Sequence, residues 1–215
     1  ELIADCYDWM EQYYGTPLRW PDFDNVALDV TNPATKLFVA SIMEEMASLF
    51  PDTYFHIGGD EVNQNCWAAV PSILTYMQEN DFATYDNSSS TWVYDFTALQ
   101  GSWAAFVQQV TAKLSRQAVA WEESFTLGFD LAEDTIVHVW LPDTGNHVVQ
   151  KAVQSGHRVL LSNGWYLDRQ APNCVDDNEC KVNWMWMYTG RDMYAVEPLA
   201  PDTSGWVPTE EEAKL

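Results

Sequence analysis

Apolar runs of strand length alternate along this chain with apolar stripes of helical period, and each run stops abruptly at polar or aromatic residues. Thr53-Tyr54-Phe55-His56-Ile57 leads into Gly-Gly-Asp-Glu, and Gln117–Trp121 into Glu-Glu. The run over residues 135–140 leads into Leu-Pro-Asp, and that over 157–163 into Gly-Trp-Tyr-Leu-Asp. Between them the spacing predicts helices. One starts at Asn32-Pro33, a capping side chain and a first-turn proline, and carries Phe38, Ile42, Met46 and Leu49. A second lies near Pro71–Glu79. A polar turn over 86–90 precedes a longer helix with Leu99, Trp103, Phe106, Val110 and Leu114 on one face. A helix over 146–154 ends at Gly156, a C-cap glycine. Strands that are apolar throughout are buried on both faces, so the expectation is an α/β fold of parallel strands covered by helices. Functional groups massed after the C-terminal ends of strands fit a (β/α)8 TIM barrel. A doubly wound sheet would place its site similarly, but no Gly-x-Gly-x-x-Gly loop supports one.

Such a barrel needs eight strands and roughly 250 residues. Four strand-helix units in 215 residues supply about half. Residues 1–215 are therefore expected to form part of a catalytic barrel, with the remaining strands on another chain or segment. Near the end, Thr209-Glu210-Glu211-Glu212 is a capping box that opens a helix. Composition narrows the class further. Eleven Trp, ten Tyr and nine Phe supply too much apolar surface for a disordered chain. A net charge of -22 repels phosphate backbones and argues against nucleic acid. No run approaches the roughly 20 apolar residues of a membrane span.

His56-Ile57-Gly58-Gly59-Asp60-Glu61-Val62 is the sharpest local feature. Two glycines at a strand end allow a tight turn and close approach of a ligand. Two adjacent carboxylates repel one another, which favours one acid beside one anion. A turn with two solvated acids is the plain alternative. The four cysteines include no C-x-x-C pair, so no structural zinc is expected, and no metal or cofactor. Cys174 and Cys180 flank a polar stretch that reads as a small disulfide-closed loop. Asn87-Ser88-Ser89 is a glycosylation sequon in a Ser-rich turn. Together with the even cysteine count it favours the secretory pathway.

The acidic motif with Cys66-Trp67 after it, and then Trp121-Glu122-Glu123, Val139-Trp140, Trp165-Tyr166-Leu167-Asp168 and Glu197-Pro198-Leu199, resembles family 20 glycoside hydrolases, the β-N-acetylhexosaminidases. The resemblance runs from about Cys6 to the end. It implies strands 4 to 7 of the barrel and hydrolysis of terminal, non-reducing β-linked GlcNAc or GalNAc. It implies retention through an oxazolinium intermediate, in which the substrate's own acetamide attacks. By carry-over Glu61 is the general acid and then base, and Asp60 orients the acetamide. Trp121 and Trp140 would box its methyl group, and Trp165 would either join them or face outward. Tyr166 would bond its oxygen, and Asp168 would bond sugar hydroxyls. His56 would support Asp60 from behind or simply pack. Glu122 and Glu123 are expected behind the site or at the surface. Trp184 and Trp186 would form a sugar platform or pack the cysteine loop. The resemblance also pairs Cys6 with Cys66.

Nothing here matches the family's substrate-clamping Arg or its final Gly-Gly-Glu motif, so the sugar site is expected to be incomplete in this chain. The implied partners are an N-acetylhexosamine-terminated glycan, other fragments of the same precursor that complete the barrel, and a second copy if the enzyme is a dimer. The implied location is lysosomal or secreted. The other reading is a non-catalytic sugar-binding or structural member of the same fold.

Overall fold

The computed structural model describes residues 2–6, 26–141, 147–165, 190–198 and 205–215, which fall into two compact units, Glu1–Ala132 and Glu133–Leu215. The first unit begins its regular structure with helix α1 (Pro33–Leu49), where Asn32 accepts from the Ala34 N–H at 2.9 Å. Strand β1 (Tyr54–His56) and helices α2 (Gln64–Ala68) and α3 (Pro71–Glu79) follow. Strands β2 (Ala83–Asp86) and β3 (Thr91–Tyr94) lead to helix α4 (Phe96–Lys113), then strand β4 (Gln117–Trp121) and helix α5 (Glu122–Thr126).

Strands β1 and β4 pair in parallel, Tyr54 opposite Gln117 and His56 opposite Val119. The long helix α4 is part of their crossover, and its N-terminus is capped by Asp95, which accepts from the Ala98 N–H at 2.8 Å. Ala118, Val119 and Ala120 of β4 are buried. The apolar run therefore forms the twice-covered strand that its sequence required.

A second apolar cluster holds the residues after β1 in place. Cys66, Trp67, Val70, Ile73, Met77 and Leu99 pack with Ala4, Cys6 and Val30. Full burial of a side chain such as Ile73 or Met77 stabilises by about 1.5–3 kcal/mol over leaving it in water. Trp67 is 1% exposed, and its indole N–H donates to Leu28 O at 2.9 Å. Cys6 and Cys66 form a disulfide across 60 residues, the pairing the resemblance implied. Closing a loop of that length contributes ~4 kcal/mol on the chain-entropy estimate. Cys174 and Cys180 lie outside the described residues.

Two expectations change. The polar turn over 86–90 is the tip of an antiparallel hairpin, with Ala83 opposite Tyr94 and Asp86 opposite Thr91. Four-residue strands are too short to show their alternation against a helical background. The α1 stripe also faces water: Phe38 is 49%, Ile42 43% and Leu49 64% exposed. The buried side of α1 instead carries Thr35 and Met43, and Met43 packs with Val107 and Val110 of α4. Helical period reveals a stripe but not what covers it.

In the second unit, strand β5 (Ile136–Val139) pairs in parallel with β6 (Val159–Leu161), Val137 opposite Val159. Helix α6 (Val148–Gln154) joins them and ends at Gly156, whose φ of +88° is the left-handed C-cap conformation predicted for it. Helix α7 (Gly190–Ala195) follows. The capping box forms: Thr209 N–H donates to Glu212 Oε2 at 2.7 Å, and the Glu212 N–H donates to Thr209 Oγ1 at 3.2 Å. That backbone bond holds the Glu212 carboxyl below the usual range. It opens a short 3-10 turn, Glu212–Lys214, rather than a full helix. Both units thus show parallel strands linked through helices, the expected α/β class.

Candidate active site

The polar turn at the end of β1 is built by backbone. The strand ladder runs on past His56, since Ile57 N–H donates to Val119 O at 2.8 Å and Trp121 N–H donates to Gly58 O at 3.1 Å. The chain then reverses through Gly58 at φ +70° and Gly59 at φ +107°. Only glycine takes these values without strain. A Cβ on Gly59 would also lie 2.5 Å from Ser124 Oγ, so the Ser124 side chain of α5 closes against the turn. Asp60 and Glu61 emerge from it exposed, and no hydrogen bond engages either carboxylate among the described residues. Glu61 takes φ +47°, a left-handed conformation that costs a non-glycine residue of order 1 kcal/mol or more.

A polar chain behind the turn holds it. Gln64 Nε2 donates to Gln100 Oε1 at 3.0 Å, and Gln100 Nε2 reaches Gly59 O at 3.5 Å. Gln100 is only 5% exposed. Sequence reasoning passed over Gln100; the available signal was an amide on the apolar face of α4, one residue after Leu99. Glu122 and Ser124 are both 2% exposed, so Glu122 lies behind the site rather than in it.

His56 Nδ1 accepts from the Gly58 N–H at 3.1 Å, and its ring lies 4.7 Å from the Trp121 indole at 56°. Desolvation pushes its pKa down, and the charge of Asp60 works in the opposite direction. The neutral ring is thus favoured, with Nδ1 as acceptor. Trp121 is half-buried at the start of α5. The unit therefore brings together Asp60, Glu61, His56 and Trp121.

The second unit presents its own expected residues after its strands. Trp140 is half-buried directly beyond β5. Trp165 follows β6 at 36% exposure, and its indole N–H donates to Met193 O of α7 at 3.0 Å. Gly164 lets Val196, the residue after α7, approach, since a Cβ there would meet Val196 Cγ2 at 2.7 Å. Glu197 and Pro198 are exposed. Tyr166, Asp168, Trp184 and Trp186 lie outside the described residues.

Strand-end carboxylates on a glycine turn, within parallel strand-helix units, make a solvent-facing acidic site. The model of the glycosyl hydrolase family 20 catalytic domain matches residues 8–214, and the chain belongs to that family. It is 33% identical over 199 residues to β-hexosaminidase subunit A1 of Dictyostelium discoideum, covering 92% of this chain and 31% of that protein. It is 31% identical to the human β-hexosaminidase subunit beta, covering 78% of this chain and 27% of that protein. Among solved structures, Flavobacterium johnsoniae chitobiase matches at 30% identity and a TM-score of 0.55, over 69% of this chain and 21% of that one. A product complex of Streptomyces plicatus β-hexosaminidase shares the fold at TM-score 0.56, over 85% of this chain and 30% of that one. The chain therefore spans about a third or less of the length of the relatives it matches. Among the described residues no helix is long and apolar enough to cross a membrane.

Proposed function

We propose that the protein containing this chain is a retaining β-N-acetylhexosaminidase that removes terminal GlcNAc or GalNAc from the non-reducing end of glycans. One observation carries this reading: Asp60 and Glu61 are adjacent and exposed, on a glycine turn backed by Ser124 and Gln100. Glu61 protonates the leaving oxygen and then takes the proton of the attacking water. Asp60 orients the substrate acetamide and stabilises positive charge developing on its nitrogen. The acetamide oxygen attacks the anomeric carbon to give an oxazolinium ion, which water opens with net retention. The nucleophile is already part of the substrate, so the protein supplies positioning, a proton and an anion. The family resemblance assigns the acetamide walls to Trp121, Trp140 and Trp165, the acetamide oxygen to Tyr166 and the sugar hydroxyls to Asp168. His56 sits behind Asp60.

We read the chain as strands 4 to 7 of the barrel, with the other strand-helix units of the same protein closing it. The exposed apolar stripe of α1 supports this, because those units would cover it. Cys174 and Cys180 form the second disulfide in this reading, and the protein is lysosomal or secreted.

The test is Glu61→Gln in the full-length protein. Turnover of a β-linked GlcNAc disaccharide should fall by roughly 10²–10⁴. An aryl glycoside with a good leaving group should lose less in its first step. Unchanged turnover of the disaccharide would remove Glu61 from the mechanism. A parent protein that binds the sugar and hydrolyses nothing would leave the non-catalytic alternative.

A further inference from the structure

The hairpin β2–β3 carries features that the site above does not use. Its four-residue tip, residues 87–90, contains Asn87-Ser88-Ser89, the one Asn-x-Ser/Thr sequence in the chain with x other than proline. Asn87 is exposed. Asp86 fixes the tip: its Oδ1 accepts from the Ser88 N–H at 2.8 Å and from Ser88 Oγ at 2.7 Å. Its Oδ2 accepts from Ser89 Oγ at 2.8 Å. Ser90 completes the reversal at φ +54°.

Immediately below the tip, Tyr85 and Trp92 are direct cross-strand partners. Their rings meet edge to face, with centroids 5.4 Å apart at 70°. Ala83 and Tyr94, the pair two positions further in on the same face, pack against the core. Tyr85 and Trp92 stay 44% and 40% exposed. Asn87 is the first residue of the tip, directly after the closing pair Asp86–Thr91 and two residues beyond Tyr85. The hairpin thus sets an attachment point for sugar next to two large, half-exposed aromatic rings. A pyranose ring presents a face of C–H bonds, and covering aromatic surface with it removes apolar area from water.

We infer that Asn87 bears an N-linked oligosaccharide whose first sugar packs its C–H face on Tyr85 and Trp92. Attachment joins the Asn87 amide nitrogen to the anomeric carbon of an oligosaccharide carried on a lipid diphosphate. The N–C bond forms and the amide gives up one proton. The bond from carbon to phosphate oxygen breaks, and the lipid diphosphate leaves with the electron pair. The closed tip commits the Ser89 hydroxyl of the acceptor sequence to Asp86, so attachment precedes closure. The inference is independent of the hydrolytic reading.

The experiment uses the full-length protein from a eukaryotic secretory host. Glycopeptide mass mapping should find Asn87 occupied, and Asn87→Gln should lose the mass of one glycan. Loss of that glycan should lower Tm by about 1–2 °C, the scale of a sub-kcal/mol change in a large protein. In a Trp92→Thr background the same loss should shift Tm by less than half as much. Tyr85→Thr supplies the same cycle if Trp92→Thr does not fold. Trimming the glycan to its first sugar should keep the parent Tm. An unoccupied Asn87 overturns the site. An occupied Asn87 whose loss shifts Tm equally in both backgrounds overturns the packing.

Discussion

Two turns of the first unit carry acidic side chains and a non-glycine residue at positive φ, and they use them in opposite ways. At the hairpin tip, Asp86 directs both oxygens inward to Ser88 and Ser89, and these bonds hold its carboxyl down to about 2. The acid is spent on its own loop. At the end of β1, the backbone and the side chains behind it do the holding, through Gly58, Gly59, Ser124 and Gln100. Asp60 and Glu61 are left facing solvent. A carboxylate that stabilises its own turn has little capacity left for a substrate. The comparison teaches that a turn leaves its acids open to solvent when its neighbours do the structural work.

Substitutions can break that division. The largest expected effect after loss of Glu61 itself is Gly59→Ala in the full-length protein. The added methyl meets Ser124 Oγ and a φ of +107°, so the turn must move. A displacement near 1 Å costs about 10²-fold, to be read in kcat/KM on a β-GlcNAc glycoside. Asp86→Asn is the matched control and should leave kcat/KM within about twofold, since the hairpin holds none of the reacting groups. Comparable losses in both variants would erase the contrast between the turns.

Gln100→Leu comes next. It strips the amide that joins Gln64 to Gly59, and an unpaired buried group costs about 1–3 kcal/mol. Kinetics should show a lower kcat with KM changed less, and a melt should show lower stability. Parent-like kcat would mean the turn holds its shape without this support.

The acid limb separates the turns by pH. The Asp86 carboxyl sits below its ordinary value, so the stabilisation is complete above the usual aspartate range and is lost as pH falls toward about 2. Amide exchange over residues 83–94 should stay protected at pH 4 and open only as pH drops below about 3. Opening already at pH 5 would contradict the bonds to Ser88 and Ser89.

The smallest effect concerns His56. Its pKa is pushed down by desolvation and partly restored by Asp60. Asp60→Asn removes the restoring charge, so the imidazole should titrate lower still in an NMR pH series. A rise would mean that Asp60 does not act on His56.

Much of this was legible from the sequence, for physical reasons that also mark the limit. The stretch Ala118-Val119-Ala120 is apolar throughout and is buried as a strand covered on both faces, whereas Tyr54 of β1 and Leu160 of β6 stay 47% exposed. Asn32 with Pro33, and Thr209 with Glu212, announce helix starts because capping is local chemistry. The Gly58-Gly59-Asp60-Glu61 turn was visible because its conformation needs those glycines. Gln100 was not visible, since its role depends on Gly59, 41 residues earlier in the chain. The α1 stripe was visible, but its exposure was not, because burial belongs to the partner and not to the helix. The hairpin escaped because its strands are shorter than the window in which alternation can be counted.

The hairpin also has a place in time. Its strands pair across a tip of four residues, whereas Tyr54 finds its partner at Gln117, 63 residues later. Local pairing closes in microseconds, while a distant pair must first overcome the entropy of a long loop. On a chain emerging from its N-terminus, residues 83–94 are complete before the first residue of β4 exists. The hairpin is therefore among the first parts able to take its final form. The strand bearing the acidic turn must wait for β4 before its pairing from Tyr54–Gln117 to His56–Val119 can form.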